Sequence, residues 1–392
     1  MNGTTYTSRQ RVLETLNRRE PDRIPFDLGS SIETGMTAQA YRGLVDFLGL
    51  TEEPDDTLPN LFVMAGGFAQ IPENVLRHLK VDVRGALIQL PSEPEPEIGL
   101  EDGNTLVYHD EWGIKWAKPA SSLYMDPVGA PLKGALTAER LARHPWPDPD
   151  QEGRYVGIRQ EVERLRNTEC AVMFSLYGLG IFDMALMIHG IEDTLMDLAA
   201  NPTAMEDLLD RITEFQMRMW THTLEILGDD VDVCLHSDDL GSQSTSMMSP
   251  DMYRRLLKPR HAQLFAHIKK SAKTDVKLLM HSCGSVRSLI PDLIEAGIDA
   301  LNPIQVGAAH MDTKELKREF GSELSFWGGG VDTQTTLPRG SVSQVKDEVK
   351  RRIDDLAPGG GFVFAAVHNI QPDVPPENIH AMWEAFQEHC RY

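Results

Sequence analysis

The chain of 392 residues carries 38 Lys and Arg against 59 Asp and Glu, a net charge of −21, and 41% of its residues are hydrophobic. This composition is typical of a folded globular protein, and the acidic balance argues against a non-specific nucleic-acid or anionic-membrane binder. No run of about 18 apolar residues predicts a membrane span, and the four scattered cysteines fit a reducing compartment. We therefore expect a cytoplasmic protein that binds neither nucleic acid nor membrane.

Short apolar runs alternate with longer amphipathic stretches, which indicates strand–helix units around a parallel sheet. Eight predicted strands follow in chain order at 24–28, 81–85, 170–176, 231–236, 276–281, 300–303, 324–328 and 361–367. Eight such strands close a (β/α)8 barrel, for which about 250 residues are typical. The fold class is therefore α/β, and we expect one TIM-barrel domain over residues 1–392 with an N-terminal helical extension.

Three of the predicted helices have recognisable N-terminal signals. Asn-Pro opens a helix over 201–227, and Ser-Pro opens another over 250–271, because a capping side chain followed by proline suits the first helical turn. A third helix over 341–356 follows the turn Pro-Arg-Gly. These helices alternate with the predicted strands, as a barrel requires.

Residues 91–150 form an insertion that is rich in Pro, Glu and Asp. Within it, 106–116 predicts a β-hairpin that turns near Trp112 and Gly113. A hairpin at the rim of a barrel either acts as a lid or only covers a helix, and the sequence leaves both open.

Polar residues follow four of the predicted strands directly, and this is where a parallel barrel places its active site. They are His236, Asp238, Asp239 and Gln243 after 231–236, His281 and Cys283 after 276–281, Asp332 and Gln334 after 324–328, and His368 and Gln371 after 361–367. We therefore expect these side chains to share one face of the barrel.

His281 and Cys283 are two residues apart at a strand end, so both side chains can reach one ion. An imidazole nitrogen with a thiolate sulfur suits Zn²⁺, and a catalytic zinc keeps three protein ligands and an open position. His368 is the third candidate, since it follows another strand and precedes a proline-rich turn. The alternative for this pair is a buried cysteine beside a hydrogen-bonded histidine.

Three stretches resemble the uroporphyrinogen decarboxylase superfamily: His-Ser-Cys-Gly at 281–284, Trp-Gly-Gly-Gly-Val-Asp at 327–332, and the segment from Gly-Gly-Gly at 359–361 through His-Asn-Ile-Gln-Pro at 368–372. Tyr-Gly-Leu-Gly at 177–180 and the stretch over 190–202 are similar as well. The resemblance spans nearly the whole chain and is strongest after residue 170. It implies a (β/α)8 barrel.

This superfamily has two functional branches, and the chain resembles the second. Decarboxylases bind a porphyrinogen with eight carboxylates through an arginine-containing N-terminal motif, without a metal. Corrinoid-dependent methyltransferases hold zinc through His-x-Cys and a later Cys. Here no basic residue lies between Arg23 and Arg42, so a polyanionic porphyrinogen would lack a guanidinium partner.

The chain departs from the methyltransferase pattern at one position, because His368 stands where that branch has its second Cys. One thiolate leaves the zinc site with a net charge of about +1, which makes a stronger Lewis acid than a site with two thiolates. We therefore expect an oxygen-bearing substrate, such as a methyl ether, rather than a thiol.

Removing a methyl group from an ether requires a proton for the leaving oxygen, and a carboxylic acid can deliver it. Two adjacent carboxylates after a strand point in opposite directions, and we favour Asp239 as the donor; a helix-capping or arginine-pairing role is the alternative. Asp238, Gln243, Asp332, Gln334 and Gln371 are the candidates for substrate binding or for second-shell support of the metal. A helix-capping role for Asp332 and Gln334 is equally open.

The sequence and the resemblance together predict a zinc-dependent methyltransferase that uses His281, Cys283 and His368 as ligands. It would move a methyl group between a small methylated compound and a corrinoid (methylcobalamin) carried by a partner protein, since the chain has no D-x-H-x-x-G segment of its own. The resemblance is also compatible with a homodimer. The alternatives are a metal-free decarboxylase and a non-catalytic barrel that only binds a corrinoid or another ligand.

Overall fold

A computed structural model describes residues 6–53, 57–60, 63, 66–89, 98–122, 124–176 and 179–392. Residues 91–97 of the predicted insertion and 177–178 of the predicted glycine turn lie outside this range. The strands, in chain order, are β1 (Val83–Leu87), β2 (Ile98–Glu101), β3 (Thr105–His109), β4 (Lys115–Pro119), β5 (Asp126–Gly129), β6 (Ala171–Ser175), β7 (Val233–Ser237), β8 (Lys277–His281), β9 (Ala300–Asn302), β10 (Ser325–Trp327) and β11 (Phe362–Val363).

Within the described ranges, seven of these strands form one parallel sheet in the order β1-β6-β7-β8-β9-β10-β11. The predicted first strand, 24–28, contributes only a bridge between Phe26 and Phe364. Its backbone nevertheless lies between the two edges of the sheet: Asp27 N–H donates to the carbonyl of Phe364 at 2.9 Å, and Asp82 N–H donates to that of Phe26 at 2.8 Å. The sheet is therefore curled, as a TIM-like barrel requires.

The helices of the described residues lie mostly between these strands. In chain order they are α1 (Ser8–Leu16), α2 (Ala38–Leu48), α3 (Glu73–His78), α4 (Ala138–Arg143), α5 (Ile158–Arg166), α6 (Ile181–His189), α7 (Ile191–Ala200), α8 (Pro202–Leu227), α9 (Pro250–Leu256), α10 (Lys258–Ser271), α11 (Ile290–Ala296), α12 (Thr313–Phe320), α13 (Thr336–Arg339), α14 (Val342–Leu356) and α15 (Pro376–His389). No helix in this part of the chain is long and apolar enough to cross a membrane.

Two helix predictions need correction. The stretch 250–271 is two helices, because Pro259 cannot donate a backbone hydrogen bond and α10 starts afresh at Lys258. Asn201 precedes α8 but does not cap it, since its side-chain amide donates to the carbonyl of Leu136 at 3.1 Å. Ser249 and Ser341 do accept hydrogen bonds at the starts of α9 and α14.

The insertion is an antiparallel sheet in the order β2-β3-β4-β5. The predicted hairpin is its centre, β3 and β4, with a turn in which Asp110 accepts hydrogen bonds from the backbone of Trp112 and Ile114. Gly113 has φ = 80°, which favours glycine in this turn.

The end of the barrel opposite the strand carboxyl ends, called the floor below, is closed by α1. Val12 and Leu16 pack in one cluster with the buried barrel residues Met173, Leu235 and Trp327. Beside this cluster the carboxylate of Asp82 is fully buried and its charge is balanced by two arginines: Arg11 at 2.7 Å and Arg23 at 2.7 Å. Asp232 binds Arg9 and Arg166 in the same way.

Candidate metal centre

His281, Cys283 and His368 come together at the carboxyl ends of the strands. His281 is the last residue of β8, Cys283 follows it by two positions, and His368 lies in the bend after β11. One side-chain donor atom from each lies within 4.8 Å of the other two. The Sγ of Cys283 is 3.4 Å from Nε2 of His281. Two nitrogens and one sulfur at this spacing are a suitable ligand set for zinc.

The tautomer of His281 is fixed by a neighbour. Asn302 donates through Nδ2 to the carbonyl of Trp327 at 3.0 Å, so its Oδ1 faces His281 Nδ1 at 2.6 Å. Since Oδ1 can only accept, Nδ1 donates the proton of this hydrogen bond, and Nε2 is left facing Cys283 as the nitrogen that a metal can bind. Metal-binding histidines are held by this kind of hydrogen bond on the other ring nitrogen.

Cys283 is held by its backbone. Its N–H donates to Oδ1 of Asp239 at 2.7 Å. The next residue, Gly284, has φ = +86° and lies against Gly241, where a Cβ would come within 2.4 Å of the Gly241 backbone. Only glycine permits this approach of the two loops after β7 and β8. The loops therefore fix the thiol relative to His281.

His368 is held by pairing of the chain that follows it with an N-terminal loop. Ile370 N–H donates to the carbonyl of Gly35 at 3.0 Å, and Thr37 N–H donates to that of Ile370 at 2.9 Å. Burial lowers the pKa of His368, and the charge of His281 lowers it further. The imidazole is therefore neutral near pH 7, which is the form that binds a metal.

The charged groups around the three donors are acidic. Burial raises the pKa of the Cys283 thiol well above its usual range, and the charges of Asp239 and Glu33 raise it further. Glu33 and Asp239 also favour the protonated form of His368. The negative potential at the site thus disfavours a free thiolate and favours positive charge, so it also favours the binding of a cation.

Asp239 lies beside the donors, and Asp183 of α6 holds it. The side chain of Asp239 is 46% exposed, and its Oδ1 is 3.8 Å from Nε2 of His281. Its backbone N–H donates to both oxygens of Asp183, at 3.1 and 3.2 Å. Burial, then the charges of Asp238 and Asp239, raise the pKa of Asp183 well above its usual range, so this carboxyl retains its proton. Sequence reasoning missed Asp183.

Asp238 does not face the mouth of the barrel, which corrects its assignment to substrate binding. It is fully buried, and its oxygens accept hydrogen bonds from the backbone of Phe182 and Asp183 and from Nε2 of His261 at 2.8 Å. His236 Nε2 lies 3.9 Å away and has no hydrogen bond. Although His236, Asp238 and His261 could hold an ion by distance alone, the Asp238 oxygens are already used to hold the start of α6.

The predicted residues after β10 have a local structural role. Asp332 accepts hydrogen bonds from the backbone of Gln334 and from the backbone and hydroxyl of Thr335. These bonds lie in the turn before α13, whose first residue is Thr336, so Asp332 does not cap this helix. Gln334 and Gln243 are exposed. None of the hydrogen bonds among the described residues joins the side chains of these three predicted residues to His281, Cys283 or His368.

Gln371 is 8% exposed and is bonded to Asn369 and to Tyr124 of the insertion. Tyr124 and Glu33 lie far from the ligands in sequence, and no pattern in the chain singled them out. Asn302, by contrast, lies near the end of the predicted strand 300–303 and is the last residue of β9, so the rule that placed His281 could have found it.

The chain belongs to the uroporphyrinogen decarboxylase (URO-D) family, which matches residues 128–389. This confirms the superfamily that the sequence motifs indicate. A methyltransferase from Methanosarcina mazei superposes with a TM-score of 0.63 at 20% identity, covering 98% of this chain and 99% of that one. That likeness supports the TIM-like fold.

Relatives in this family include both enzyme classes. The methylcobamide:CoM methyltransferase MtaA of Methanosarcina barkeri is 31% identical over 150 residues, which are 37% of this chain and 39% of that protein. A uroporphyrinogen decarboxylase of Thermus thermophilus is 27% identical over 141 residues, 36% of this chain and 38% of that protein. The chain thus matches about two fifths of the length of these relatives, and the similarity to MtaA supports the methyltransferase branch.

Proposed function

We propose that the protein is a corrinoid-dependent methyltransferase that binds zinc through His281, Cys283 and His368. It moves a methyl group between a small methylated compound, a methyl ether in our proposal, and a corrinoid carried by a separate protein. The observation that carries this proposal is that two imidazole nitrogens and one thiol sulfur lie within 4.8 Å of one another at the mouth of the barrel. The similarity to MtaA supports the reaction class.

The charge of the mouth favours this function over decarboxylation of a porphyrinogen. Asp239 and Glu33 give the site a negative potential, which attracts a dication and repels a substrate with many carboxylates. Arg23, the last basic residue before Arg42, is bound to Asp82 at the floor at 2.7 Å. A guanidinium held there is not available to a substrate at the other end of the barrel.

The donor set fits zinc by its chemistry. His281 directs Nε2 toward Cys283, His368 is neutral, and Cys283 is the least buried of the four cysteines. When bound, zinc supplies a Lewis acid that polarises the oxygen or sulfur atom from which or to which the methyl group moves. With a single thiolate, the site retains a net positive charge, which suits an ether oxygen.

The carboxylates supply proton transfer in this proposal. Asp239 is partly exposed beside the donors and is oriented by the N–H of Cys283. It takes up a proton from the solvent to which it is exposed and delivers it to the leaving alkoxide oxygen. Asp183 accepts the backbone N–H of Asp239 at 3.1 Å and so helps to orient Asp239 for this role.

The test is metal analysis of the purified protein beside two histidine variants. We expect about one zinc per chain in the wild type, and loss of both zinc and methyl transfer from methylcobalamin in His368→Ala. His109→Ala is the matched control, since His109 is exposed on the inserted sheet and should retain both. Full zinc occupancy in His368→Ala removes this residue from the ligand set.

The alternatives give different results in the same experiments. A decarboxylase, which the Thermus thermophilus relative brings into consideration, releases CO2 from a porphyrinogen after the metal has been removed. A non-catalytic binder takes up methylcobalamin without methyl transfer to or from any donor or acceptor. Our proposal requires activity that falls with the metal and returns when zinc is restored.

A further inference from the structure

Tyr124 brings the inserted sheet into contact with the segment that carries His368. It lies between β4 and β5, and its hydroxyl donates to Oδ1 of Asn369 at 2.7 Å. The same oxygen of Tyr124 accepts from Nε2 of Gln371 at 2.8 Å, and that Nε2 also donates to Oδ1 of Asn369 at 2.5 Å. The three polar groups therefore form a closed ring of hydrogen bonds.

The ring is built from one half-exposed residue and two buried ones. Tyr124 is 42% exposed, whereas Asn369 is 1% and Gln371 is 8% exposed. Nδ2 of Asn369 and Oε1 of Gln371 are buried without a hydrogen bond. If both side-chain amides are rotated by 180°, their oxygen and nitrogen atoms exchange places, and two buried polar atoms again lack a hydrogen bond. The two amides thus depend on the hydroxyl of Tyr124 for much of their hydrogen bonding.

The ring is adjacent to the candidate metal centre. Asn369 follows His368 directly, and its side chain favours the protonated form of His368 against the effect of burial on the pKa. On the other side, burial and then the negative charge of Cys283 raise the pKa of Tyr124 to about 12. The phenol is therefore neutral near pH 7 and keeps the proton that it donates to Asn369.

We propose that Tyr124 is a positioning residue of the metal centre, acting through Asn369 and Gln371 on the orientation of His368. This rests on the proposed function and deepens it, since it makes the insertion part of the site rather than a cover for a helix. Removing the phenol oxygen leaves two buried amides with fewer partners, and the bend that holds His368 then has more than one arrangement. Partners of this kind behind a ligand typically contribute 10- to 100-fold to metal affinity.

The test compares Tyr124→Phe with Tyr108→Phe. Tyr108 belongs to the same sheet, where its ring stacks on Trp116 with centroids 6.4 Å apart, and its hydroxyl takes part in none of the hydrogen bonds among the described residues. For each variant, Co²⁺-loaded protein is mixed with excess chelator and the rate of metal release is measured. We expect release about 10-fold faster in Tyr124→Phe and wild-type release in Tyr108→Phe.

A second readout works without metal. The ring-nitrogen chemical shifts of His368 in the metal-free protein, assigned with His368→Ala, report its tautomer and hydrogen bonding. We expect them to move in Tyr124→Phe and to stay unchanged in Tyr108→Phe. In an Asn369→Ala background the Tyr124→Phe substitution should add little to either readout, because the connection to His368 is already broken.

The outcomes separate the two proposals. If the wild type binds no stoichiometric metal, the proposed function fails, and the His368 signals alone decide on Tyr124: a change in Tyr124→Phe supports positioning, and none overturns it. If metal binds but Tyr124→Phe releases it within twofold of the Tyr108→Phe rate and leaves the His368 signals in place, Tyr124 only anchors the sheet and the inference is wrong.

Discussion

The floor and the mouth of the barrel use the same residue types in opposite ways. At the floor, the buried carboxylate of Asp82 meets Arg11 and Arg23, each at 2.7 Å. At the mouth, the negative groups Asp239 and Glu33 act on a thiol and a histidine instead of on arginines. Acidic residues at the floor are paired with arginines. Among the described residues, Asp239 and Glu33 at the mouth form no ion pair with an arginine or lysine, and their negative potential favours a bound cation.

This difference separates stability from function along the barrel axis. Conservative changes at the floor should weaken the fold and leave the metal in place, because the paired charges there contact no ligand. Changes at the mouth should weaken metal binding and leave the stability of the fold unchanged or higher, since the like charges that hold an ion repel one another when the ion is absent.

The largest expected effect is loss of metal on removal of the thiol. Cys283→Ala should weaken zinc binding by more than about 100-fold, because loss of a ligand exceeds the 10- to 100-fold cost of losing a partner behind one. Isothermal titration with zinc measures this. Cys390→Ala is the matched control: Cys390 is buried near Arg23 and should keep wild-type zinc affinity. Equal zinc affinity in both variants would mean that Cys283 is not a ligand.

The next effect is on the floor. Asp82→Asn should lower the free energy of unfolding by about 3–5 kcal/mol, because it leaves two arginines without their buried carboxylate. Denaturant titration measures the loss, and the folded protein should still bind one zinc. Glu139→Gln, which breaks the exposed pair with Arg143, should cost less than about 1 kcal/mol. Metal loss in folded Asp82→Asn would contradict the separation of floor and mouth.

Proton release is a smaller effect that belongs to the mouth. Because burial and nearby acids raise the pKa of Cys283 above its usual range, the thiol is protonated at pH 7 without metal, and zinc must displace that proton. About one proton should be released per zinc at pH 7, and zinc affinity should fall as pH decreases. Calorimetry in buffers of different ionisation enthalpy counts the protons. Zinc binding without proton release would show that the thiol does not take part.

The smallest effect is a pH dependence in the inserted sheet. Burial raises the pKa of Asp110 to about 6, so the folded state keeps a proton that the unfolded state loses near pH 4. Stability should therefore fall as pH rises from about 4 to about 6, and level off above. Asp110→Asn should lack this contribution, as measured by unfolding at several pH values. A wild-type slope in Asp110→Asn would assign the titration to another group.

Much of the fold follows from local sequence. Seven of the eight strands predicted from short apolar runs lie in the parallel sheet. Such runs identify these strands because a parallel strand that is buried on both faces consists almost entirely of hydrophobic residues. The first run, 24–28, is reduced to a bridge at Phe26. Pro259 lies inside a continuous helical pattern, and it sets the break between α9 and α10 because its ring nitrogen cannot donate a hydrogen bond to the preceding turn.

The candidate site was predictable only in part. His281, Cys283 and His368 all follow strands, so the barrel rule brings them together. Which of two adjacent carboxylates faces the mouth depends on strand orientation, and the burial of Asp238 could not be read from its sequence position. Tyr124 and Glu33 reach the centre from an insertion and a loop, and only the packing of these segments against the barrel shows it.

The central claim is that one sulfur and two imidazole nitrogens of this chain share a single ion. X-ray absorption at the zinc edge, on protein loaded with one equivalent of zinc, tests it most directly. We expect one sulfur at about 2.3 Å and the remaining ligands to be nitrogen or oxygen at about 2.0–2.1 Å, with the sulfur lost in Cys283→Ala. A spectrum with no sulfur, or with two, would contradict the proposed centre.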